Sequence, residues 1–272
     1  MGQRIRKASL IAAGAVASRA TYDALERLQP GSVQWWTRTN HRGEQVSLLS
    51  GPALAASAAV TAAVGAPKNL RSAAAGVSVL GGALGVYDDI VGHRADQKNA
   101  KGLRGHLGAL REGRVTSGLV KLVGVATGGV VAAGAVTRGP VDRIVAGGVI
   151  AGTANLFNLL DLRPGRALKA ALGLGAATLG GNAGTLIAGP IGASAGLLPD
   201  DLNERTMLGD GGANAIGAVL GLRLAAAGGP WTRAGTLAVL AALTLASEKV
   251  SFTRVIESTP VLREVDALGR RQ

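Results

Sequence analysis

The chain contains no cysteine, so neither a disulfide nor a thiolate metal site can be built from it. Three scattered histidines in 272 residues make a zinc site improbable. Aromatic side chains are equally scarce, at 3% of the chain, and no aromatic RNA-binding motif, helix-turn-helix or zinc finger can be traced. Charged residues make up 17%, against roughly 25% in a typical soluble domain. What remains is 47% hydrophobic, with a mean hydropathy of +0.29 and 42 glycines. Glycine costs a soluble helix about 1 kcal/mol relative to alanine, whereas helices packed in a bilayer use small residues to bring their backbones together. The composition therefore predicts an all-α, polytopic integral membrane helix bundle. The net charge of +12 and pI near 11.1 then belong to cytoplasmic loops of a membrane protein, and no nucleic-acid partner is expected.

Apolar runs fall at 8–28, 46–64, 71–87, 117–136, 141–157, 167–181, 183–199, 211–228 and 232–247, predicting about nine transmembrane helices (8–10) in one domain covering 1–272. Arg19, Asp23, Glu26 and Arg27 interrupt the first run, and the basic start before Ala8–Ala17 also reads as an uncleaved signal-like anchor. Gly-x-x-x-Gly pairs at Gly81/Gly85, Gly124/Gly128, Gly148/Gly152, Gly180/Gly184, Gly192/Gly196 and Gly217/Gly221 mark expected helix contacts. With nine alternating helices and the N-terminus outside, 18 basic residues fall on one side and 8 on the other. That bias puts the 88–116 connection and the C-terminal tail in the cytoplasm. Arg4, Arg6 and Lys7 run against it.

Three acidic motifs share that side. Asp88-Asp89 ends an apolar segment, where the helix macrodipole disfavours carboxylates unless a cation is near. A basic loop follows, with Arg94, Lys98, Lys101 and Arg104 placed to fold over phosphates and Gly102 and Gly105 allowing turns; His106 is adjacent. Asn155, Asn158 and Asp161 recur every third residue and occupy an arc of about 120° on one helix face. Two amides and a carboxylate there suit a nucleotide or sugar hydroxyls, or a polar interhelical contact; Arg163 and Arg166 follow with further phosphate-binding capacity. Asp210, in Gly209-Asp210-Gly211-Gly212, reads either as a helix N-cap or as a ligand for a hard cation, with the glycines letting a diphosphate approach the helix start.

In order and spacing these motifs resemble the polyprenyl-phosphate N-acetylhexosamine-1-phosphate transferase superfamily, over about residues 38 to 260. The resemblance implies transfer of a sugar 1-phosphate from a UDP-sugar to a polyprenyl phosphate, with Mg²⁺ and release of UMP, in cell-envelope (peptidoglycan-type) biosynthesis at the cytoplasmic face of the plasma membrane. It implies Asp210 as the Mg²⁺ ligand and Asp88 as the residue engaging the lipid phosphate, supported by Asp89. Asn158 and Asp161 become nucleotide-side contacts. The chain departs from the family at Pro164, which stands for an Asp, and at Ala213, which stands for a Ser. No His follows His106, and Glu248–Arg254 occupies the place of the family's His-rich motif. Two rival readings stay open: a non-catalytic protein of the same fold that binds lipid-linked precursors or scaffolds envelope enzymes, and a small transporter. The sequence is silent on oligomeric state, with a homodimer among the options.

Overall fold

The computed structural model describes residues 2–40, 42–92 and 102–271, without the side chains of Leu103, Arg104 and Leu107. In chain order its elements are α1 (Gly2–Leu28), α2 (Val33–Trp36), β1 (Thr37–Thr39), β2 (Gln45–Ser47), α3 (Ser50–Gly65), α4 (Arg71–Val91), α5 (Gly102–Arg111) and α6 (Ser117–Ala133). There follow α7 (Pro140–Leu160), α8 (Arg166–Ala177), α9 (Thr185–Leu202), α10 (Gly209–Ala227), α11 (Pro230–Ser247), α12 (Phe252–Ser258) and α13 (Pro260–Ala267). The nine apolar runs correspond to α1, α3, α4 and α6 to α11. The run at 46–64 is shortened, because its first residues pair with Thr37–Thr39 as a two-stranded antiparallel hairpin.

α10 organises the bundle. A helix apolar around its whole circumference must be enclosed, and every residue from Gly211 to Arg223 is buried, among α3, α4, α7, α8 and α9. Its partners approach at backbone distance. A Cβ on Gly85 would run into the Asp210 carbonyl, and one on Gly221 would meet Ile150 of α7. Five of the six Gly-x-x-x-Gly pairs lie at helix contacts, those at Gly124/Gly128 and Gly148/Gly152 against leucine side chains; Gly180 and Gly184 instead lie in the turn between α8 and α9.

The contacts fix helix directions. Gly81 faces Asn214 and Gly85 faces Asp210, so α4 runs antiparallel to α10; Gly217 at Ala154 and Gly221 at Ile150 make α7 antiparallel as well. Gly148 at Leu237 and Gly152 at Leu240 set α11 parallel to α7. The C-terminal ends of α4, α7 and α11 therefore meet the N-terminal end of α10 at one end of the bundle.

Among the described residues two helical stretches, Lys68–Val91 and Pro140–Leu160, are long and apolar enough to cross a membrane, or three if the bent pair α11 and α12 counts as one span. By this measure a nine-span arrangement is not reached. α3 and α6 are apolar but short, and α1 carries Arg19, Asp23 and Glu26 near its end. Those charges are used: Arg19 pairs with Asp23 at 3.2 Å and with Asp200 of α9, and Glu26 accepts hydrogen bonds from Tyr22 (3.0 Å) and Ser47 (2.6 Å).

Candidate active site

Adjacent residues on a helix point about 100° apart, and Asp88 and Asp89 accordingly serve different neighbours. The Asp89 carboxylate accepts hydrogen bonds from the backbone N–H groups of Asp210 (3.2 Å) and Gly211 (3.0 Å), capping α10 from outside its own chain segment. A carboxylate there satisfies donors the helix leaves open and meets the positive end of its dipole. Gly209 makes the approach feasible, since its φ of +65° suits glycine and any Cβ would press on the Asp89 carboxylate. Asp210 is thus the second residue of α10, and the cap is Asp89. Gly211 and Gly212 are buried against α4 and α3 and do not lie open to a phosphate.

Asp88 and Asp210 converge on one cation. Lys121, one turn into α6, places its Nζ 2.6 Å from Asp88 Oδ2 and within hydrogen-bond distance of Asp210 Oδ2. An ionised group is costly to bury unless it is paired. Here two carboxylates share one buried ammonium, so the cluster carries an excess negative charge.

A cavity of about 710 Å³ opens beside this cluster, lined by Asp88, Asp89, Asp210, Asn158 and Asp161 together with Arg38 and His106. Each lining group has a local reason for its place. Arg38 arrives on β1, donating to the carbonyls of Thr37 (2.8 Å) and Asp89. His106 Nδ1 lies 2.8 Å from Thr116 Oγ1, which caps α6 by accepting the Leu119 N–H at 3.2 Å. Burial lowers the His106 pKa; Asp88 and Glu248 pull it up and Lys121 pushes it down, with a net result below the ordinary histidine value. Gly118 is required by this packing, because a Cβ there would occupy the space of the imidazole.

Other expected site residues do not reach the cavity. Asn155 turns to α11 and donates to Thr244 Oγ1 at 3.2 Å, because α7 is wrapped closely enough that its polar face is shared between two neighbours. Arg166, expected to contact phosphate, is buried and donates to both oxygens of Asp266 at 2.8 and 2.9 Å and to Thr253 Oγ1 at 2.9 Å. Arg163 pairs with Glu257 at 3.5 Å and lines a neighbouring pocket of about 110 Å³ that shares Asp161 with the larger cavity. Lys101, like Arg94 and Lys98, lies outside the described residues, as does the side chain of Arg104.

No protein-family model matches the chain, and no curated protein matches it.

Lys121 and Arg38 were not singled out in the sequence. Lys121 carried a signal: it is the one charge inside the 117–136 run, and an ionisable group within a candidate span is by default functional. Arg38 carried none, since it is one of the scattered basic residues of the 29–45 connection. As for Mg²⁺, the donor chemistry fits. Oxygens of Asp88 and Asp210 already converge on a single cation position, held by Lys121 Nζ. Among the described residues no three His, Asp or Glu surround one point. Mg²⁺ does not need three, because it keeps several waters and is commonly held by one or two carboxylates plus substrate phosphates.

Proposed function

We propose that the chain is a divergent sugar-1-phosphate transferase that moves an N-acetylhexosamine-type sugar 1-phosphate from a UDP-sugar to a polyprenyl phosphate, releasing UMP. The observation that carries this reading is the convergence of Asp88, Asp89, Asn158, Asp161 and Asp210, drawn from three separate motifs, on one cavity that Arg38 and His106 also line, with Lys121 bonded to Asp88 and Asp210 at its wall. Phosphoryl transfer asks a protein chiefly for positioning and for compensation of charge on the phosphates, and a cavity with both signs of charge offers that.

In this scheme Lys121 moves from the carboxylates to the diphosphate oxygens, and Arg38 and the Nε2–H tautomer of His106 donate to the phosphates. Asp88, at the end of α4, positions the incoming lipid phosphate for in-line attack. Asp89 holds the start of α10 and so aims Asp210. Asn158 and Asp161 face the nucleotide side. Mg²⁺, held by Asp210 with Asp88, would supply charge neutralisation on the diphosphate when bound.

The bundle is read as polytopic, with the described helices α1, α3, α4 and α6 to α11 crossing the plasma membrane and the cavity opening to the cytoplasm. Exposed Val79, Val123, Val131 and Val239 on its flanks support lipid contact. The test is direct: protein in detergent or nanodiscs with Mg²⁺, polyprenyl phosphate and a panel of UDP-sugars, followed for UMP release. Release that requires both the lipid phosphate and one UDP-sugar supports the transferase; none with any UDP-sugar sinks it.

A second reading rests on a specific observation. Lys121 already occupies the cation position between the two metal-ligand carboxylates, and Glu248 stands where the family places histidines. These features support a non-catalytic protein that binds lipid-linked precursors, for which polyprenyl phosphate would bind without any UMP release.

A further inference from the structure

The chain turns a corner after α11. The axis of α12 lies at 94° to that of α11 across a four-residue break, so if α11 crosses a membrane, α12 runs along its surface. The exposed apolar surface turns the same corner. Val239 and Leu245 on α11 are 60% and 63% exposed, Val250 and Val255 continue the strip, and on α13 Val261, Val265 and Leu268 are 69%, 55% and 70% exposed. Those last three positions, with Leu268 just past the end of α13, fall at about 0°, 40° and 340° around the helix, and exposed Leu262 at about 100° broadens the apolar stripe on one side.

This stripe cannot turn inward, because α13 is bolted down by its other side. Asp266 is held by both nitrogens of the Arg166 fork and by Arg270 at 2.7 Å. Lys169 Nζ donates to the carbonyls of Val265 (3.0 Å), Asp266 (2.5 Å) and Leu268 (3.2 Å), closing the helix C-terminus. Arg270 Nε donates to the Pro164 carbonyl at 2.9 Å. An eight-residue helix has little stability of its own in water, so this clamp sets its orientation with the valines outward. Exposed Lys249, Arg254 and Arg263 flank the strip, interleaved with exposed Glu248, Glu257 and Glu264, so its polar border is charged but balanced.

We propose that α12 and α13 form an interfacial element that sets Val255, Val261, Val265 and Leu268 into the head-group region of the bilayer at the end of the bundle where α11 stops, with its mixed charges in the surrounding water. Apolar residues on one face with charged residues at the water boundary are the pattern such elements use. The proposal rests on the reading that the bundle crosses a membrane and is independent of the transfer reaction.

The absence of cysteine makes the test clean. Single variants Val261→Cys, Val265→Cys, Arg263→Cys and Ala267→Cys carry an environment-sensitive fluorophore in nanodiscs whose lipids bear a nitroxide near the head-group end of the acyl chain. Quenching at Val261→Cys and Val265→Cys is expected to exceed that at Arg263→Cys and Ala267→Cys by at least about twofold. A reference probe at Val239→Cys, on the flank of α11, is read with a mid-chain nitroxide. If Val239→Cys is quenched and the α13 probes are not, or if Val265→Cys instead cross-links two copies, the interfacial proposal is overturned. If Val239→Cys itself is unquenched, the membrane reading fails and takes this one with it.

Discussion

Two charge clusters sit at the same end of the bundle and differ in one respect. Around Asp266, two guanidinium groups and one ammonium close on a single carboxylate and on backbone carbonyls, and that cluster lines none of the cavities described above. Around Lys121, one ammonium is shared by two carboxylates beside an open volume of about 710 Å³. The first cluster is satisfied and joins the C-terminal helices to the bundle. The second is short of positive charge and open to a ligand. Proximity in sequence to an acidic motif is thus a poor guide to which cations meet phosphate: Arg163, Arg166 and Lys169 follow Asp161 directly and are spent on the tail, whereas Lys121 comes from a different helix.

The comparison breaks most visibly at Lys121. Lys121→Met leaves two carboxylates buried together without a partner, which should lower stability by about 3–5 kcal/mol and abolish UMP release; a melting curve that hardly moves would mean the cluster is solvated and not a site. Asp210→Asn should reduce UMP release about 100-fold while the melting temperature stays close to wild type, since a neutral amide is a poor Mg²⁺ ligand but keeps the fold and its hydrogen bond to Lys121. Activity within a few-fold of wild type would remove Asp210 from the chemistry.

Arg166→Met tests the other cluster. Asp266 keeps Arg270, so the loss should be about 2 kcal/mol, seen as earlier melting and easier proteolysis after Ser247, with UMP release within a few-fold. A collapse of turnover would show that the two clusters are one site. Asp89→Ala removes the cap on α10 and should cost about 1 kcal/mol, with Asp89→Asn costing less because its single amide oxygen still accepts one of the two backbone N–H bonds; equal losses in both would point to a role for the charge itself.

The smallest effect is one of pH. Burial works against the Asp266 carboxylate, but the hydrogen bonds and charges of Arg166 and Arg270 outweigh it and hold the group below the usual carboxylate range. A depressed pKa stabilises the fold above the unfolded value, about 4, and that contribution is lost as pH falls through the folded value. Wild type and Asp266→Asn should therefore differ in melting temperature by a constant amount above about pH 5 and converge below about pH 4. A gap that instead widens on acidification would contradict the clamp.

The sequence by itself determined the helical elements, because each apolar run is long and bounded by Gly, Pro or charge. It also determined that Asp88, Asp89, Asn158, Asp161 and Asp210 share an end of the bundle, because alternation of helices follows from their short connections. Periodicity could place Asn155 on the same face as Asn158, but a face about 120° wide is shared by two neighbours, and only packing assigned Asn155 to α11. Tertiary structure alone decided that Asp89 caps α10, that Lys121 bridges Asp88 and Asp210, and that Arg166 closes on Asp266. Each of those pairings joins residues far apart in the chain, and whether a charge meets a ligand or a partner depends on which side chain reaches it first in three dimensions.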